Sequence, residues 1–135
     1  MAVQLRALAE RPALPHDHAA RRALEYPRRA PTAWSVLLGF LRLTTNPRIV
    51  RSPATAGEAL EYIDRWLDHE ITTVVEPTSR HTRVLRDVLG RFGTAGNLVV
   101  DAHLAALAIE HGAQLCSADR DFGRFAGLDW VNPLD

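Results

Sequence analysis

Three aspartates carry most of the chemistry this sequence could perform. Asp101 stands just inside a predicted helix, after the loop Gly93-Thr94-Ala95-Gly96-Asn97. Asp119 and Asp121 come shortly after a predicted strand that ends near Ser117. In an open α/β sheet, the crevice beyond the carboxyl ends of the strands is where ligands bind. If Asp101 faces that end as well, three carboxylates converge, and their mutual repulsion favours the arrangement only with a cation among them. An all-oxygen donor set suits magnesium or manganese, and such ions promote phosphoryl chemistry by activating water and offsetting charge on the phosphate. The same residues also have a plain structural reading. An aspartate in a first helical turn complements the helix dipole, and Asp-x-Asp after a strand can simply make a turn.

Other reactive side chains offer less. The histidines are scattered: His16 and His18 fall in a proline-marked loop, and His69, His81, His103 and His111 read as surface or helix-end residues. Cys116 is the only cysteine and has no obvious activating base, so it reads as a buried, inert strand residue. There is no glycine-rich phosphate loop, nucleophile elbow or dinucleotide fingerprint. Trp34, Trp66 and Trp130 fit the core or its margins better than a platform for stacking bases.

The elements that must position these groups can be read from pattern. Met1 to Leu8 fits a short helix or a strand, and Pro12 and Pro15 then break the pattern. Asp17 is a candidate N-cap for a helix ending before Pro27. A brief strand is expected at Ala33–Trp34, then a buried helix from about Ser35, stopped by Asn46 and Pro47. Thr55 and Glu58 form a capping box for a helix reaching about His69. The run Ile71-Thr72-Thr73-Val74-Val75 is β-branched and reads as a buried strand. Helices are expected from Ser79 to about Arg91 and from Leu98 to His111, the second closed by Gly112. Short strands are expected at Gln114–Ser117 and Asp129–Val131. Strands alternating with helices indicate an α/β fold with a mostly parallel sheet.

Composition agrees with one globular domain spanning residues 1–135. The chain is 47% apolar and 24% charged, with zero net charge. Bulk charge therefore gives no sign of nucleic-acid binding, but the distribution is uneven. All 16 basic residues are arginine. Six of them stand in residues 1–30, while residues 101–135 hold six acids against Arg120 and Arg124 alone. No apolar run approaches the length of a bilayer span. The first residues lack the pattern of a signal peptide, and one cysteine fits a reducing compartment, so a cytoplasmic location is expected.

Two C-terminal motifs carry a resemblance. Gly96-Asn97-Leu98-Val99-Val100-Asp101-Ala102-His103-Leu104-Ala105-Ala106-Leu107-Ala108 resembles the helix bearing the third acid of PIN-domain ribonucleases, in particular the VapC toxins of type II toxin–antitoxin systems. Ser117-Ala118-Asp119-Arg120-Asp121-Phe122 resembles their fourth-acid motif, and Phe125 to Leu134 resembles their last strand. Phe40 to Arg48 is similar to a stretch of one VapC subgroup. The resemblance implies a three-layer α/β/α domain around a central, mostly parallel sheet. It implies a Mg²⁺-dependent endoribonuclease (Mn²⁺ being the other candidate ion), held inactive by a VapB-type antitoxin and commonly dimeric. Asp101 and Asp119 would be metal ligands, Asp121 an adjacent acid that assists the metal or bonds the loop, and Ser117 the hydroxyl that orients the cluster or the attacking water. Asn97 matches a recurrent loop residue.

Two positions depart from that pattern. The family opens with an apolar strand carrying Asp-x-Asn, whose aspartate is the central metal ligand, but residues 1–15 contain no aspartate. Asp17 is the first available and sits in the context of the segment after that motif. Gly39 stands about where many PIN domains carry a glutamate. Met1 to Arg6 alternates apolar with polar residues, whereas a strand covered on both faces should be apolar throughout. Residues 1–15 thus have the look of a displaced or frame-shifted start, a matter that the upstream DNA in three frames would settle. The leading expectation is a VapC-like ribonuclease. The competing one is a PIN-domain remnant that binds antitoxin without cleaving RNA, and a third is another metal phosphoesterase using the same carboxylates.

Overall fold

The computed structural model describes residues 3–7 and 30–135. Among them, five strands alternate with four helices: β1 Val3–Ala7, β2 Ala30–Thr32, α1 Trp34–Thr44, α2 Ala56–Leu67, β3 Thr72–Val74, α3 His81–Leu89, α4 Val99–Glu110, β4 Ala113–Ser117 and β5 Trp130–Val131. Single 3₁₀ turns at Gly96–Leu98 and Arg120–Arg124 lead into α4 and come after β4.

The α/β class expected from the alternation is the one observed, but the strands form two pieces. β2 pairs with β3 in parallel, while a separate three-stranded sheet has the order β1-β4-β5. β4 and β5 are parallel, and β1 runs antiparallel to β4 with Val3 opposite Ser117 and Ala7 opposite Ala113. The N-terminal stretch is therefore a strand, hydrogen-bonded to β4 on one side and lying beside β2 on the other. The candidate helix capped by Asp17 lies outside the described residues.

Local sequence explains most boundaries. Helix α1 starts at Trp34, one residue before the expected start, because the preceding strand ends at Thr32. It stops where the Thr44 and Thr45 hydroxyls turn back onto the carbonyls of Phe40 and Leu41, at 2.9 and 2.7 Å. The capping box of α2 is complete: the Glu58 amide donates to Thr55 Oγ1, and the Thr55 amide donates to the Glu58 carboxylate. Gly112 closes α4 at φ +57°, a left-handed conformation that favours glycine.

The core forms where α4 meets α3, β4 and the turn Phe122–Phe125. Ala102, Leu104, Ala105, Leu107 and Ala108 of α4 pack with Val88, Leu115, Phe122 and Phe125. Helix α4 is apolar nearly all round, as a helix enclosed on every side must be. Its alanines let neighbouring backbones approach closely, which holds the first turn of α4, and Asp101 with it, against the end of β4.

Candidate active site

The site is built at the carboxyl end of β4. Ser117 closes that strand and is fully buried; its Oγ accepts the Asp119 amide at 3.1 Å. Asp119 then caps the adjoining 3₁₀ turn, with Oδ1 accepting the Asp121 amide at 3.0 Å. Trp130 fixes the turn from beside it. The indole Nε1–H donates to the Ser117 carbonyl at 3.0 Å, and a Cβ added to Gly123 would lie only 3.3 Å from the Trp130 ring. A Cβ at position 123 would therefore crowd the indole, which would have to give slightly. The Ser117 hydroxyl is thus bonded to the loop that carries Asp119.

Asp101 reaches the same end from the first turn of α4. Partial burial, and after it the negative charges of Asp119 and Asp121, pushes its carboxyl above the ordinary aspartate range. That effect is the electrostatic sign that these carboxylates share one neighbourhood. Asp121 is exposed, and its Oδ1 pairs with Arg124 at 3.4 Å.

The donor chemistry suits a hard divalent cation, because oxygens alone are presented and their repulsion would be relieved by positive charge. The spacing is open: among the described residues, no three His, Cys, Asp or Glu side chains close on a common point. Mg²⁺ keeps several waters and is usually held by one or two carboxylates, so Asp101 and Asp119 fit it as an incomplete protein shell. Neither position that departs from the PIN pattern adds an acid. β1 presents Val3 at the register of Ser117. Gly39 has open space around the position of a Cβ, and Asp17 lies outside the described residues. Asn97 is exposed in the turn Gly96–Leu98.

His69 and His111 are exposed as expected and His16 and His18 lie outside the described residues, but the reading of His81 and His103 as scattered surface groups is corrected by the structure. The Glu110 carboxylate is buried and accepts from Thr78 N at 3.2 Å, from Thr78 Oγ1 and from His81 Nδ1. His81 Nε2 lies 3.0 Å from His103 Nδ1, and Arg80 donates to the Glu110 carbonyl at 2.9 Å. Sequence gives half of this cluster, since His103 and Glu110 stand two helical turns apart on one face of α4. The partner residues come from the β3–α3 connection and the first residue of α3, which spacing along one helix cannot reveal. Trp34 and Trp66 are also more exposed than a core assignment implies, while Trp130 is half-buried. Cys116 is buried in β4 as expected.

The chain is similar to known proteins over most of its length. Residues 15–128 match the family model of the PIN domain. The chain is 45% identical over 101 residues to Ribonuclease VapC37 of Mycobacterium tuberculosis (strain ATCC 25618 / H37Rv), covering 75% of this chain and 70% of that protein. It is 37% identical over 101 residues to Ribonuclease VapC33 of the same strain, covering 75% and 71%. It is 40% identical over 101 residues to VapC ribonuclease Mb2897 of Mycobacterium bovis (strain ATCC BAA-935 / AF2122/97), covering 75% and 69%. By the PIN-domain match over residues 15–128 and these identities, the chain belongs to the PIN-domain VapC ribonucleases.

Proposed function

We propose that this protein is a VapC-type toxin, an endoribonuclease that hydrolyses RNA phosphodiester bonds with a divalent cation, Mg²⁺ or Mn²⁺, and is neutralised by a VapB-type antitoxin. The convergence of Asp101 with the Ser117–Asp121 turn carries this reading, expressed in the raised Asp101 carboxyl. Asp101 and Asp119 would hold the ion. When bound, the ion supplies positive charge against the phosphodiester and makes a water more acidic. Ser117 and Trp130 keep Asp119 in place through the loop amide and the Ser117 carbonyl. Asp121 acts on the turn and on its arginine partner. A cytoplasmic location and a homodimer belong to the same proposal. Exposed Trp34 and Leu38 on α1, with Leu60, Tyr62 and Trp66 on α2, supply apolar surface for protein partners. Among the described residues, no helix is long and apolar enough to cross a membrane.

One observation favours a second reading, a catalytically impaired relative that binds antitoxin only. β1 runs antiparallel to β4 and brings no carboxylate to the register of Ser117. RNA cleavage by the purified chain with Mg²⁺ or Mn²⁺, beside Asp101→Asn and an EDTA control, separates the two. Metal-dependent cleavage lost in the variant supports the enzyme; no cleavage from folded protein supports the binding protein.

A further inference from the structure

The acidic C-terminal part of the chain holds two arginines, and the structure gives them different surroundings. Arg120 turns away to Asp135, 3.3 Å from its Oδ1. Arg124 turns toward the site. Its Nη1 lies 3.4 Å from Asp121 Oδ1, one turn earlier, and its guanidinium carbon lies 5.7 Å from the centre of the Phe92 ring. Among the described residues, Arg124 is the one basic side chain that pairs with an acid of the site. Phe92 is itself anchored, edge-on to the buried Phe125 at 5.8 Å. The guanidinium is thus held from two directions, by a carboxylate and by an aromatic face, while half of the side chain stays open to solvent.

That placement serves a particular chemistry. Arginine offers five donors in a planar fork suited to phosphate oxygens, and stacking on an aromatic ring reduces the freedom it must lose when it binds. An exposed ion pair with Asp121 is weak, so the fork can exchange one carboxylate oxygen for a phosphate oxygen. Its position on the acid-bearing turn also meets a requirement of the site. A polyanion approaching three carboxylates is repelled, and a fixed cation beside them offsets that repulsion at the point of approach.

We infer that Arg124 is a substrate-positioning residue that grips an RNA backbone phosphate next to the carboxylate site, pre-oriented by Asp121 and Phe92. The inference rests on the ribonuclease reading above and adds the side chain that receives the substrate. The test measures binding of a labelled, random-sequence single-stranded RNA pool as a function of salt, with Asp101→Asn as the non-cleaving background, and cleavage in the otherwise unaltered chain. Arg124→Gln should weaken binding about 5- to 10-fold at low salt and flatten the slope of log affinity against log salt by about 0.7, one phosphate contact on a single strand. In cleavage, KM should rise more than kcat falls. Arg124→Lys should keep the slope, because charge remains, and lose part of the affinity. Phe92→Leu should do the same with the arginine intact. Thermal melts establish that each variant is folded.

An unchanged slope and affinity in folded Arg124→Gln, with cleavage in the parent chain, overturns the role of Arg124 and leaves the ribonuclease reading standing. A parent chain that neither binds nor cleaves RNA overturns both. In Arg124→Gln, a loss of affinity with no change of slope assigns Arg124 a structural role and also overturns the proposal.

Discussion

Asp101 illustrates how a site residue can be unfavourable to the fold that carries it. Its carboxyl is raised by partial burial and by the charges of Asp119 and Asp121, so the folded chain binds a proton there more tightly than the unfolded chain does. That contribution to stability is present at low pH and is lost as pH rises from the unfolded value through the folded one. At neutral pH, Asp101→Asn should therefore raise the melting temperature measured without divalent ions. It should also lower metal-dependent cleavage at least about 100-fold, the upper end for losing even a supporting group of a metal site. A variant that is no more stable, or that cleaves normally, removes Asp101 from this role. Glu110 is the opposite case. Burial pushes its carboxyl up, but hydrogen bonds from Thr78 and His81, with the electrostatic pull of His81, bring it below the ordinary value. Its contribution holds above the unfolded value and is lost as pH falls through the folded one. His103 adds to the same acid sensitivity. Burial and then the charge of His81 lower it, against a smaller opposing pull from Glu110, so its contribution is present above the unfolded histidine value and lost as pH falls. Glu110→Gln should destabilise the chain by about 3 kcal/mol, since it breaks a buried pair and leaves Thr78 and His81 short of an acceptor. Chemical denaturation across the acid range should show the loss and a flatter pH profile in the variant.

Helices are positioned here by small residues and caps, and the two can be tested apart. Gly39 lies inside α1 with nothing near the position of a Cβ. Gly39→Ala should stabilise the chain by about 0.5–1 kcal/mol, the usual cost of glycine in a helix interior; a destabilised variant would mean that the open space is needed for packing. The N-terminal cap of α2 was legible from two residues, because the Thr55–Glu58 exchange is local. The same locality made the end of α4 readable at Gly112. The ends of α3 were less clear, since its start depends on Thr78 and Arg80 reaching Glu110, about 30 residues away. Both kinds of boundary were read to within two residues, α3 starting two residues after Ser79 and ending two before Arg91.

At the scale of the molecule, a bound ion should link the two walls of the site. Because Asp101 comes from α4 and Asp119 from the turn after β4, Mg²⁺ that binds the folded chain alone stabilises it by mass action, about 2.7 kcal/mol at 100 times its dissociation constant. Thermal melts with and without Mg²⁺ should show a concentration-dependent rise in the unaltered chain and none in Asp101→Asn. A rise of equal size in both would place the ion elsewhere. Together with the higher intrinsic stability expected of Asp101→Asn, this gives a crossing pattern: the variant melts higher without the ion and the unaltered chain gains on it as Mg²⁺ is added.

Neighbours within a few residues settle the order of helices and strands, the capping box, the glycine that ends α4, the buried strand cysteine and the two acid-bearing motifs, so all of these could be read along the chain. The lack of an aspartate in the first strand is equally plain there. Long-range packing settles the direction of β1, which pairs over a separation of more than 100 residues, and the union of Thr78, His81, His103 and Glu110 into one buried cluster. It also sets the Phe92 ring beside Arg124 and the Asp135 carboxylate beside Arg120. The division reflects the range of the forces involved: periodicity, capping and turn chemistry are written along the chain, but strand direction, buried charge pairs and the partner of a surface arginine depend on which distant segments packing brings together.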